Sequence, residues 1–164
     1  LDQGGRVVAV VVNQKASRQA SLMAISRNID VLNQLLALQR YSLPVYIEGV
    51  SPWSRAGDER AAAALAQMVA AQKAMATRIA ELIIERDGRI AKGGFPMEFT
   101  DLNMLSLDYL VRESIELQRQ VIAEIEGCVE RLRGDAEARH LAEEMLGQEK
   151  GHLENLEETT KVLV

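Results

Sequence analysis

A single cysteine, Cys128, stands among 164 residues, so no disulfide can form within the chain. A core without cross-links fits a reducing compartment, and we expect a cytoplasmic protein. No apolar run approaches the ~20 residues that a helix needs to cross a bilayer, which argues against a membrane protein. Basic residues are outnumbered, 19 against 24 acidic, for a net charge of −5. No basic cluster stands out, so the electrostatic stripe of a nucleic-acid binder is missing. Prolines number three and aromatics make up 4 %, so helix-breaking residues are scarce.

What remains is rich in Ala, Leu, Glu, Gln and Arg, which are strong helix formers. Four long segments carry apolar residues at steps of three and four, the seam of a helix buried on one side. The first covers residues 26–49, through Ile29, Leu32, Leu36, Gln39, Leu43 and Tyr46. Pro44 lies inside it, and the loss of one backbone donor there predicts a kink. The second covers residues 59–87, through Leu65, Met68, Gln72, Met75, Ile79 and Leu82, with Asp58 as its N-cap and Gly88 as its stop. The third starts from a cap at Thr100 or Asp101 and runs to residue 133, through Met104, Asp108, Val111, Ile115, Gln118, Ile122, Ile125 and Val129. Asp135 caps the fourth, whose seam is Met145, Glu149, His152 and Leu156. Residues 1–24 form an N-terminal extension, and residues 25–164 a single domain. The apolar run at residues 6–12 is expected to pack on that domain or on a neighbouring subunit. The chain begins at Leu1 rather than Met, which points to residues upstream.

Loop lengths then constrain the topology. Helices one and two, and three and four, are joined by short turns, so each pair forms an antiparallel hairpin. The connection at residues 89–103 is longer. Extended at about 3.3 Å per residue it reaches roughly 45–50 Å, more than the roughly 40 Å of a helix of about 27 residues. It can cross the whole length of the domain. The expected fold is all-α, two helical hairpins joined by a long crossover. Gly93-Gly94 belongs to that crossover and not to a phosphate-binding loop, because no strand precedes it.

The hairpins also repeat each other. Leu38-Gln39-Arg40 returns as Leu117-Gln118-Arg119, 79 residues later, and Gln72-Lys73-Ala74-Met75 aligns with Glu149-Lys150-Gly151-His152, 77 residues later. These residues carry a resemblance. The stretch at residues 32–43, LNQLLALQRYSL, resembles the first helix of bacterial ferritin-like domains, where the pattern L-N-x-L-L-A-L-E ends on an iron-ligating glutamate. Residues 76–83 resemble the segment after the family's first Glu-x-x-His, and Glu149-x-x-His152 matches the second one in full. The resemblance spans residues 25–160 and implies a ferritin-like four-helix bundle of the di-iron carboxylate kind.

In that family a glutamate from each of two helices and a Glu-x-x-His from each of the other two neutralise two irons. The spacing i, i+3 sets Glu and His on one face so that both reach the metal. Carried over, the ligand positions hold Gln39, Gln72, Met75 and Gln118, and only Glu149 and His152 keep the family's residues. A glutamine has the shape of a glutamate without its charge, and a thioether is too soft for iron among oxygen ligands. Asp108 sits on the third seam but two to three turns away from Gln118, and Glu113 and Glu116 fall off that seam. The expected outcome is a metal-free polar core, in which the glutamines bond to one another and to Glu149 and His152. The resulting role is non-catalytic, structural or binding, with a homodimer through long helix faces. Two alternatives stay open: one residual zinc or iron on Glu149 and His152 serving an iron-handling oxidoreductase, and a small-ligand carrier using the space left by the irons. Bland roles are expected elsewhere. Met68 and Met75 fill core rather than ligate haem, Cys128 is buried, His140 is solvated, and Trp53 plugs one end.

Overall fold

The structure is a computed structural model that describes residues 3–50 and 52–161, the side chains of residues 3–11 excepted. Its regular elements are helical: α1 (Gln3–Arg40), α2 (Leu43–Val50), α3 (Glu59–Glu85), a 3-10 turn (Met97–Leu102), α4 (Leu107–Arg131) and α5 (Ala136–Lys161). None of these is long and apolar enough to cross a membrane. The main core gathers Leu32, Leu35 and Leu36 of α1, Met75, Ile79 and Ile83 of α3, Ile125 and Cys128 of α4, and Ala142 and Met145 of α5.

The kink expected at Pro44 is a full break. Helix α1 ends at Arg40, and Ser42 caps a new helix: its Oγ accepts from the Val45 amide at 3.3 Å. Pro44 thereby falls in the first turn of α2, where a missing N–H costs nothing because that donor has no helical partner anyway. Toward its N-terminus α1 continues through residues 3–24, part of the expected extension at residues 1–24, without a break at residue 25. Val12, Leu22, Met23 and Ile25 are exposed along it, and among the described side chains residues 12–25 are not buried. The expected packing of residues 6–12 lies mostly outside the described side chains.

Two other starts differ from expectation. The cap of helix α4 lies six and five residues after Thr100 and Asp101, which are spent inside the 3-10 turn, where Thr100 Oγ1 donates back to the Met97 carbonyl at 2.7 Å. The cap is Ser106, whose Oγ accepts from the Tyr109 amide. The adjacent Leu107 amide is tied to the Trp53 carbonyl at 2.8 Å. Met104, assigned to the seam, is therefore outside the helix and 93 % exposed. Asp58 does precede α3, but its carboxylate bonds backwards to the Arg55 amide at 2.6 Å and makes no forward cap. Trp53 does not plug the core: its side chain is 67 % exposed, beneath the Arg55 guanidinium.

The connection between α3 and α4 runs alongside α1 and α2. Asn33 bonds to both Arg89 and Ala91; Phe95 packs edge-on against Tyr41 and Tyr46; Phe99 joins Leu43, Ile47 and Leu110; Ser106 bridges to Trp53. Where it leaves α3 the turn is tight. Asp87 takes a left-handed conformation (φ 54°), and the Gly88 amide reaches back to the Ile83 carbonyl at 2.9 Å. Together these close the helix end in a Schellman-type turn. A Cβ on Gly88 would lie 2.7 Å from Ile29 Cδ1 and 2.9 Å from the Ile83 carbonyl oxygen. Gly88→Ala should therefore lower stability by about 1–3 kcal/mol, while Asp87→Gly, at the left-handed residue, should raise it by about 0.5–1 kcal/mol. Thermal melts of the two variants check both signs.

Candidate functional site

Four helices each send one polar side chain into the core, and the four meet. Gln39 comes from the last turn of α1, Gln72 from mid-α3, Gln118 from mid-α4 and Glu149 from mid-α5. All are buried to within 2 % of complete. Each lies on the apolar seam of its helix, so the packing that buries the seam also carries the polar group inward.

Glu149 is the hub. Gln39 Nε2 donates to its Oε1 at 2.8 Å. Gln72 Nε2 straddles both oxygens, at 3.2 and 3.4 Å. Gln118 Nε2 donates to Oε2 and, at 3.3 Å, to the Glu149 main-chain carbonyl. A carboxylate only accepts, so the amides turn their N–H₂ ends toward it. Gln72 Oε1, facing away, accepts from the Ser42 hydroxyl at 2.7 Å. Ser42 therefore joins the cap of α2 to this network. The sequence reading missed that role, although serine two residues before a proline after a helical run is a legible helix-start signal.

Two of the candidate residues stand apart. Met75 is buried in the apolar cluster with Ile79 and Met145, as a core filler should be. His152 does not bond to Glu149 or to an amide as expected. Both Glu149 oxygens are taken by glutamines, and the buried His152 Nε2 has no partner. Gln39 Oε1 is likewise buried and unpartnered.

The donor set does not fit a two-iron centre. A cation at the hub would face three N–H₂ groups, the positive ends of the amide dipoles. Gln72 Oε1 is engaged by Ser42, and Gln39 Oε1 takes no part in the hub. Only one carboxylate is within the cluster, against the four that offset two divalent ions in such sites. Among the described residues no three of His, Cys, Asp and Glu gather as a metal-binding group, and Glu149 forms no ion pair. Three amide donors on one carboxylate supply its solvation instead. Asp108, the other seam carboxylate, is paired with Arg112 at 3.2 Å.

The remaining singled-out groups are quiet. Burial pushes the Cys128 thiol up, and the neighbouring Arg131 guanidinium, which donates to Sγ at 3.1 Å, only partly offsets this. It is a core thiol and not an activated nucleophile. His140 is exposed. No family model, no curated protein and no solved structure matches this chain.

Proposed function

We propose that the chain is a ferritin-like four-helix bundle whose di-iron centre has been replaced by a carboxylate held by three amides, and that its role is structural or binding and not catalytic. The observation that carries this is the convergence of Gln39, Gln72 and Gln118 on Glu149, one residue from each helix. Those are the four positions at which the resemblance expects glutamate. Glutamine keeps the length and branching of glutamate, so a site built for four carboxylates accepts the exchange without repacking. The hydrogen bonds then run amide to carboxylate where ligand-to-metal bonds would have run. The path of the α3–α4 connection along α1 and α2 supports the same topology, because a plain up-down-up-down bundle has no use for such a length.

Two experiments bear on this. Protein loaded with ferrous iron or with zinc and then desalted should retain substoichiometric metal and consume oxygen no faster than buffer. A stoichiometric metal lost on His152→Ala, or oxygen uptake above the buffer rate, would sink the metal-free role. The second experiment restores the ligands. The variant carrying Gln39→Glu, Gln72→Glu, Met75→His and Gln118→Glu should bind a pair of cobalt(II) ions per chain, read by the visible absorption of the metal. A folded variant that binds none would overturn the ferritin-like reading.

A further inference from the structure

Beside the glutamine hub lies a cleft of about 490 Å³, bounded by α1 and the start of α2 on one side, α4 on the other, and the α3–α4 connection as a roof. That volume falls in the range of small-molecule sites, roughly 300–1,000 Å³. Three features give it a chemical character. Its walls are apolar, with Leu38, Leu43, Leu117 and Phe99 among them. Its only charged lining residues are the carboxylates Glu98 and Glu124, both exposed. Ser114 also lines it, and its hydroxyl is buried with no partner in the protein.

The third feature is the unusual one. A serine inside a helix ordinarily bonds to a carbonyl one turn back or points to water. An unpaired buried hydroxyl carries a desolvation cost that some partner normally removes. Gln118, next along the same face of α4, lines the cleft too, with its Nε2 committed to Glu149. The cleft thus combines an undersatisfied polar pair on α4, apolar walls and two exposed carboxylates. Arg131 donates to Gln34 Oε1 and to Cys128 Sγ and does not line the cleft.

We propose that this cleft binds a small amphiphilic amine: a protonated nitrogen held by one of the cleft's exposed carboxylates, Glu98 or Glu124, an apolar body along Leu38, Leu117 and Phe99, and a hydrogen-bonding tail at the Ser114 hydroxyl. An anionic amphiphile of the same shape is disfavoured, because like charges would meet at those carboxylates. The inference concerns a site apart from the Glu149 hub and stands whether or not that hub descends from a metal centre.

Calorimetric titration with four probes of equal chain length tests it: octylamine, octanol, octanoate and the corresponding amino alcohol. Octylamine should bind saturably and about fivefold more tightly than octanol, a margin set by one solvent-exposed ion pair and reduced at high salt. Octanoate should bind more weakly than octanol. The double variant Glu98→Gln/Glu124→Gln, changed only at exposed positions, should bring octylamine and octanol to the same affinity. Ser114→Ala should remove the advantage of the amino alcohol over octylamine. Val121→Trp, at the half-buried edge of the cleft, should block all four probes in protein whose cooperative thermal melt shows that it is folded. The proposal is overturned if no probe binds saturably, if octanoate matches octylamine, or if the folded Val121→Trp protein binds octylamine unchanged.

Discussion

Glu149→Leu should be the most damaging single substitution in this chain. It strands the N–H₂ groups of Gln39, Gln72 and Gln118 in a core from which water is excluded. A buried donor deprived of its acceptor costs about 1–3 kcal/mol, and partial relaxation of three such groups leaves about 3–5 kcal/mol. For a chain of this size that corresponds to a fall of roughly 10–15 °C in Tm. The informative comparison is the variant in which Gln39, Gln72, Gln118 and Glu149 are all leucine. It removes donors and acceptor together, so nothing polar is left stranded except the Ser42 hydroxyl, which is half-buried and can reach water. Replacing a whole buried polar cluster by apolar side chains is often neutral or stabilising. The fourfold variant should therefore be more stable than Glu149→Leu alone, a strongly non-additive result. Chemical denaturation of the two variants decides the matter. A Glu149→Leu protein as stable as the parent would show that the amides are not held by the carboxylate.

Asp135→Ala should follow at about 2–3 kcal/mol near neutral pH, because one side chain does three jobs. Its Oδ1 caps α5 through the Ala138 amide at 3.1 Å. The same carboxylate takes both guanidinium nitrogens of Arg86, from the end of α3. It also accepts from Asn28 Nδ2 of α1 at 3.0 Å. Three helix segments are thus pinned at the end of the molecule where α5 begins. Burial alone would push the Asp135 carboxyl up. The Arg86 bonds, the Ala138 amide, the Arg86 charge and Asn28 outweigh it, and the group is held below the ordinary carboxylate range. A folded-state pKa below the unfolded one means stability that is fully present above the unfolded value, about 4, and is lost as pH falls through the folded value. The parent should thus lose part of its advantage over Asp135→Ala in acid, and their denaturation midpoints should converge below about pH 4. A gap that stays constant from neutral to acid pH would assign the effect to packing and not to charge.

Helix-scale features were open to sequence reasoning because they are set within a few residues. The seams of α3, α4 and α5, the Asp135 cap and the Gly88 stop all follow from spacing and local chemistry. The misplaced boundaries have a common cause. Pro44 is compatible with a kinked helix or with the first turn of a new one, and Ser42 decides for the second by serving Val45 and Gln72 together. Met104 keeps step with the seam of α4, yet the main chain there is diverted to Trp53, 53 residues earlier. Gly4-Gly5 and the valine-rich run at residues 6–12 are poor helix formers, so the helical start of α1 was not legible, nor was the exposure of residues 12–25.

The polar centre divides along the same line. The sequence by itself determined that three glutamines and a glutamate occupy the inward seams of successive helices, since burial of a seam follows from its period. Only the tertiary structure decided their directions. Each amide is oriented by a carboxylate lying 110, 77 or 31 residues away, and an acceptor at that separation leaves no trace in local sequence. The same holds for His152. Its i, i+3 spacing from Glu149 is a property of the helix, but its Nε2 is left without a partner while both Glu149 oxygens bond to amides from other helices.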